Sequence, residues 1–108
     1  MSNDLPGIEC HRFRCRWQST GLLCWVNLWV FKQVALHTAV ESFRWELHYP
    51  NPRTIVEMDV GEARSMAEAR INAAAALVGT CGARGVALSR YTVQKIQRFA
   101  ALAVLEGR

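Results

Sequence analysis

Cys10-His11-Arg12-Phe13-Arg14-Cys15-Arg16-Trp17 alternates without a break. His11, Phe13, Cys15 and Trp17 fall on one side and Arg12, Arg14 and Arg16 on the other, the period of two that an extended strand imposes. A strand with one apolar and one guanidinium side is half-buried, so the stretch calls for a sheet with one face on a core and one toward solvent. Downstream, Gln18 to Gly21 carries turn chemistry. Leu22 to Phe31 follows with Trp25, Val26, Trp29, Val30 and Phe31, a β-branched and aromatic run that predicts a strand buried on both faces. Leu22, Trp25, Val26 and Trp29 also fit a helical stripe. Upstream, Met1 to Gly7, with Pro6 and Gly7 adjacent, reads as a loose leader.

Lys32 to Ser42 carries both periods. Val34, Leu36, Thr38 and Val40 alternate, while Ala35 and Ala39 suit a helix, and a short helix or irregular connection is expected. Phe43 to Tyr49 alternates again, with Phe43, Trp45, Leu47 and Tyr49 on one side and Arg44, Glu46 and His48 on the other. Pro50, Asn51 and Pro52 predict a tight reversal. Arg53 to Val60 then returns as the partner strand of a hairpin, with Val56, Met58 and Val60 facing one way and Ile55, Glu57 and Asp59 the other. Ser65 with Glu68 three residues on is a capping box, opening a helix that runs to about Val78. Its face of Met66, Ala69, Ala73, Ala76 and Leu77 is mostly alanine, which lets backbone approach a sheet closely. Gly79, Cys81, Gly82 and Gly85 break the chain. Leu88 to Leu105 reads as a second helix, with Tyr91, Ile96, Phe99, Ala103 and Val104 toward the core and Arg90, Gln94, Gln97 and Arg98 toward water. The expectation is one α+β domain over residues 1–108, a mainly antiparallel four-stranded sheet packed with two helices.

At 108 residues, 51% apolar and 20% charged, the chain is of a size and composition to bury one core without staples. The net charge of +4 is unevenly spread. Arg12, Arg14 and Arg16 crowd the start, Glu57, Asp59, Glu62 and Glu68 make the middle acidic, and Arg84, Arg90, Lys95, Arg98 and Arg108 make the end basic. Met1 to Arg14 includes Asp4 and Glu9 and lacks a basic start followed by an apolar run, so a cytoplasmic location is expected. Leu22 to Phe31 is about half the length a spanning helix needs, which argues against a membrane role.

Cys10, His11, Cys15 and Cys24, with His37 or His48, are the residue types that hold zinc. There is no Cys-x2-Cys pair, and Cys10 and Cys15 fall on opposite sides of one strand, so buried thiols are expected and no metal. Cys81 in Gly79-Thr-Cys-Gly-Ala-Arg-Gly85 has loop context for a nucleophile, but the loop lacks both the P-loop order and GxGxxG spacing and reads as an interhelical turn. Glu57 and Asp59 share a strand face and could serve acid/base chemistry; a solvated face or an acidic contact patch is the simpler reading. Arg12, Arg14 and Arg16, about 7 Å apart along the strand, match a line of phosphates or carboxylates, or keep an outward face soluble and protected by charge from edge pairing. Trp17, Trp25, Trp29 and Trp45 are a heavy load, most of it for the core, with any left at an edge suited to an interface. No catalytic constellation and no cofactor motif emerges.

Phe43-Arg-Trp-Glu-Leu-His-Tyr49, then Thr54 to Arg70 with its G-x-A-x-S-x-x-E-A pattern, then the alanine helix, resemble in layout small phage or mobile-element accessory proteins of the anti-CRISPR kind. The resemblance covers residues 43–79 and implies a non-enzymatic protein that blocks a larger host machine, such as a CRISPR-Cas nucleoprotein complex, by occupying a surface. It carries no functional residue over. The expected function is a protein-binding module with its contact surface on Glu57, Asp59 and Glu62 or on Arg12, Arg14 and Arg16, as a monomer or homodimer. The alternative is a small basic nucleic-acid-binding module that uses the arginine row and the last helix.

Overall fold

The computed structural model describes residues 7–34, 40–50 and 57–107, with only the backbone at residue 57. Strand β1 spans Ile8–Trp17, β2 Leu23–Val34, β3 Glu41–Tyr49 and β4 Glu57–Ala63. Helix α1 (Met66–Thr80) leads through a 3-10 turn at Cys81–Arg84 into the short strand β5 (Val86–Ala87) and helix α2 (Arg90–Glu106). The sheet has five strands in the order β4-β3-β2-β1-β5, each adjacent pair antiparallel. The fold is therefore α+β with two helices, as expected, with a fifth strand added. Val86 and Ala87 pair with only Trp17 and Arg16, and two residues after Gly85 are too few to show any period.

Both helices lie on one side of the sheet. That side is built from Phe13 and Cys15 on β1, Cys24, Val26, Leu28 and Val30 on β2, and Trp45, Leu47 and Tyr49 on β3, all buried with Ala69, Ala73, Leu77 and Ile96 of the helices. The alanines bring the α1 backbone close, and at one point the sheet must yield as well. A methyl group at Gly61, which pairs with Trp45, would meet the Trp45 indole at 2.5 Å, so β4 needs glycine there for the ring to lie flat across it. Ser65 accepts the Glu68 N–H at 3.0 Å, the forward half of the capping box. The Glu68 carboxylate reaches back to the N–H of Arg64, one residue before the cap, also at 3.0 Å.

Several expectations need correcting. Gly7 belongs to the ladder, since its carbonyl accepts the Lys32 N–H at 2.7 Å; residues 1–6 of the expected leader lie outside the described residues. β2 is covered on one side only and runs on through Lys32 to Val34, while Glu41 and Ser42 already belong to β3, so the expected helix or irregular connection at 32–42 is strand at both ends. Its middle, 35–39, lies outside the described residues, as do 51–56 of the predicted reversal and returning strand; pairing resumes at Tyr49 with Glu57. On α2 the buried positions are Thr92, Ile96 and Ala103, with Phe99 half-buried, whereas Tyr91 and Val104 face water. α2 packs mainly on α1, so its apolar stripe is rotated from a sheet-facing one.

Candidate interaction surface

The second side of the sheet has no helix among the described residues. Strand pairing assembles it in rows: Cys10 beside Trp29, Arg12 beside Asn27, Arg14 beside Trp25 and Arg16 beside Leu23. From β2 to β3 the rows continue as Asn27 with His48, Trp29 with Glu46 and Phe31 with Arg44, and from β3 to β4 as Arg44 with Glu62, Glu46 with Val60 and His48 with Met58. Leu23 is 53% exposed, Trp25 43%, Met58 47% and Val60 45%, a large share of apolar area left in water on one face.

The arginine row lies here as the alternation predicted, with Arg12, Arg14 and Arg16 all exposed. Among the described residues none of the three has a carboxylate partner. Arg12 lies over the Trp25 ring, 4.6 Å from its centroid, and Arg16 donates to the Gly21 carbonyl at 2.8 Å. The middle of the face carries a closed ionic group. Glu46 accepts from Arg44 at 3.0 Å and pairs with His48 at 2.8 Å, and those bonds, His48 first, hold its carboxyl below the ordinary range. Glu62 is exposed beside Arg44.

Asp59 stands on the opposite side from the one expected. It pairs with Leu47 and therefore faces the helices, while Met58 and Val60 point to the open face, the reverse of an apolar-in, acid-out strand. The inversion is stabilised by partners distant in sequence. Arg84 forms an ion pair with Asp59, and Thr80 donates to it at 2.8 Å, with the Tyr49 hydroxyl 3.0 Å from Thr80. Burial works against the Asp59 charge, but the bonds from Arg84 and Thr80 outweigh it and lower its pKa. Burial pushes the Tyr49 phenol up to about 12, so it stays protonated as a donor. Asp59 and Glu62 thus do not share a patch: Asp59 lies on the helix side and Glu62 on the open face, while of Glu57 only the backbone pairing with Tyr49 is described.

A second clamp ties the helices to β1. Arg70 donates to both Glu9 oxygens, at 2.5 and 3.0 Å, and to Glu106 at 2.5 Å. The expectation of buried thiols holds for Cys15 and Cys24 and fails for Cys10, which the strand's alternation turns to the open face, and for the half-covered Cys81. Cys15 and Cys24 face each other across the ladder with their sulfurs 3.1 Å apart, and burial, then the Cys24 thiol, push the Cys15 pKa up. Cys10 is exposed on the open face, and the half-buried Cys81 thiol donates to the Val78 carbonyl at 3.7 Å. Among the described residues no group of three or more His, Cys, Asp or Glu side chains is arranged to hold a metal ion, and no helix is long and apolar enough to cross a membrane.

Sequence reasoning missed one feature of β1. β5 covers it only at Arg16 and Trp17, so from Ile8 to Cys15 it has a strand neighbour on the β2 side alone among the described residues. No family model, no curated protein and no solved structure matches the chain.

Proposed function

We propose that this chain is a non-catalytic protein-binding module that acts in the cytoplasm by occluding a partner's surface through the open face of its sheet. The observation that carries this reading is the composition of that face. Exposed Leu23 and Trp25 lie beside Arg12, Arg14 and Arg16, which have no carboxylate partner among the described residues, and exposed Met58 and Val60 lie at the other end of the face beside His48 and Glu46. Apolar area interspersed with both signs of charge suits a protein surface, where aromatic anchors supply affinity and charges set orientation. The resemblance of residues 43–79 to small phage inhibitors of bacterial defence complexes fits this mode and makes such a complex the partner class to try first. The immobilised chain, exposed to lysate of its host cell, should retain a protein in stoichiometric amount. The variant Arg12→Glu/Arg14→Glu/Arg16→Glu should retain at least about tenfold less. Absence of a stoichiometric protein, or capture indifferent to the triple variant, overturns the proposal.

A second reading, nucleic-acid binding, is favoured by the arginine row beside Trp25, since charge and stacking together make single-strand surfaces. Glu46 and Glu62 on the same face weigh against it, as does the Arg12 guanidinium already over the Trp25 ring. If it holds, a fluorescent single-stranded oligonucleotide binds with a log–log salt slope of about −2 from three phosphate contacts, and the triple arginine-to-alanine variant abolishes that slope.

A further inference from the structure

We propose that the free edge of β1 is a second docking element, which takes an acidic, extended segment of a protein partner as an added strand. The inference deepens the protein-binding reading and rests on it.

The backbone provides the first part. Arg14 turns its carbonyl away from β2, because the Thr92 hydroxyl donates to it at 2.8 Å, and Gln18 turns its N–H the same way to reach the Gly85 carbonyl at 2.9 Å. Orientation along a strand repeats every two residues, so Arg12 and Cys10 also present N–H and C=O outward. β5 occupies this edge at Arg16, Thr92 closes it at Arg14, and beyond that no strand of the described residues follows. The remaining edge, from Cys10 to the Arg14 N–H, is about 13 Å long, room for a five-residue partner running on in the line of β5. Such a row of ladder groups is a template for strand addition; it contains neither proline nor glycine, and the charges of Arg12 and Arg14, which blunt the edge against neutral or basic strands, leave it open to an acidic one.

Side chains define what would bind. Below the edge, between β1 and α2, lies a groove with a cavity of about 570 Å³, walled by His11, Phe13, Phe99 and Leu102 and rimmed by Arg12, Lys95 and Arg98. A smaller cavity of about 200 Å³ continues it past Arg14 and Tyr91. Four cations and no carboxylate line the two together. An added strand would turn alternate side chains toward the open face, beside Arg12 and Arg14, and the others into the apolar groove. The matching occupant alternates acidic with apolar residues. β4, with Glu57-Met58-Asp59-Val60, has that pattern, which makes a second copy the rival occupant. Its Asp59 is already neutralised by Arg84, and a translated copy would repeat without closing into a fibre. A foreign segment is the better fit.

The probe is an acetylated Glu-Val-Glu-Val-Glu-Val amide, titrated into the intact chain and followed by backbone amide NMR and hydrogen exchange. Saturable binding should slow exchange at the Cys10 and Arg12 amides by about tenfold or more. A lysine-for-glutamate peptide and a peptide N-methylated on its pairing edge should both fail. Lys95→Glu/Arg98→Glu should weaken the peptide by about tenfold or more while leaving capture through the open face intact. Cys10→Pro, which removes an outward N–H without touching the β2 ladder, should abolish it in a chain whose thermal melt remains cooperative. Equal binding of the N-methylated peptide, failure of the glutamate peptide to bind, or self-association that excludes it would each overturn the proposal. Failure of the peptide with the open face still capturing a protein removes the edge alone; failure of both removes the protein-binding reading too.

Discussion

Leu28 and Trp29 are neighbours on one strand, yet Leu28 is fully buried under the helices while Trp29 sits half-covered on a face that has none among the described residues. The same contrast runs along the whole sheet: Phe13, Val26 and Leu47 on one side, Arg14, Trp25 and Glu46 on the other. On the covered side each apolar group removed from water adds stability, and close packing makes every atom count. On the open side apolar groups remain hydrated, so their value lies in what they could bury against another molecule. Neighbouring substitutions should therefore separate sharply by parity. Leu28→Ala should cost about 2–5 kcal/mol in denaturant unfolding, whereas Trp25→Ala, next but two along the strand, should cost less than about 1 kcal/mol. Equal losses would mean that the open face is also a packed one.

The contact of Trp45 with Gly61 tests the covered side from the opposite direction, by adding an atom. Gly61→Ala places a methyl group 2.5 Å from the indole and should destabilise by about 1–3 kcal/mol. In the double variant Gly61→Ala/Trp45→Phe the smaller ring makes room, and the two costs should sum to less than their separate values.

Alternation from Cys10 to Trp17 and from Phe43 to Tyr49 reads true because each strand has one covered face and a period of two cannot be mistaken over seven or eight residues. β2 misleads because aromatic residues stand on both of its sides, and composition does not say which of them a helix will cover. β4 misleads more deeply. Asp59 faces inward because Arg84 and Thr80 meet it there, partners more than twenty residues away whose approach no local pattern encodes. The arginine row could be read from spacing alone. The exposed β1 edge could not, since it exists only because β5 stops after two residues and Thr92 takes its place.

Charge distinguishes the two sides again. On the helix side Glu9 is partly buried, which opposes its ionised form, but the Arg70 bonds prevail and its folded pKa lies below the ordinary 4.5. A carboxylate lowered on folding contributes stability that is full above 4.5 and is lost as pH falls through the folded value. The thermal midpoint should accordingly fall on acidification below that point. Arg70→Gln should cost about 1–3 kcal/mol at pH 7 by leaving Glu9 without its cation, and should flatten the acid dependence. An acid limb as steep in Arg70→Gln as in the parent would assign the effect to other groups, Asp59 with Arg84 first.

The arginine row should show the smallest effects on stability, and in a definite order. Arg16 donates to the Gly21 carbonyl and Arg12 covers the Trp25 ring, so truncating either removes a contact, while the Arg14 side chain has neither an ion pair nor a hydrogen bond among the described residues. Arg16→Ala and Arg12→Ala should each cost a few tenths to about 1 kcal/mol. Arg14→Ala should change stability by no more than about 0.5 kcal/mol in either direction, and relief of repulsion between like charges about 7 Å apart gives it a tendency to stabilise. Differential scanning calorimetry on the three variants reads this order directly. A guanidinium that weakens the fold by its presence, yet stands where an anionic partner would meet it, is better placed for recognition than for holding the sheet together. Were Arg14→Ala the most destabilising of the three, the open face would have a structural role of its own, and the division between the two sides of the sheet would not hold.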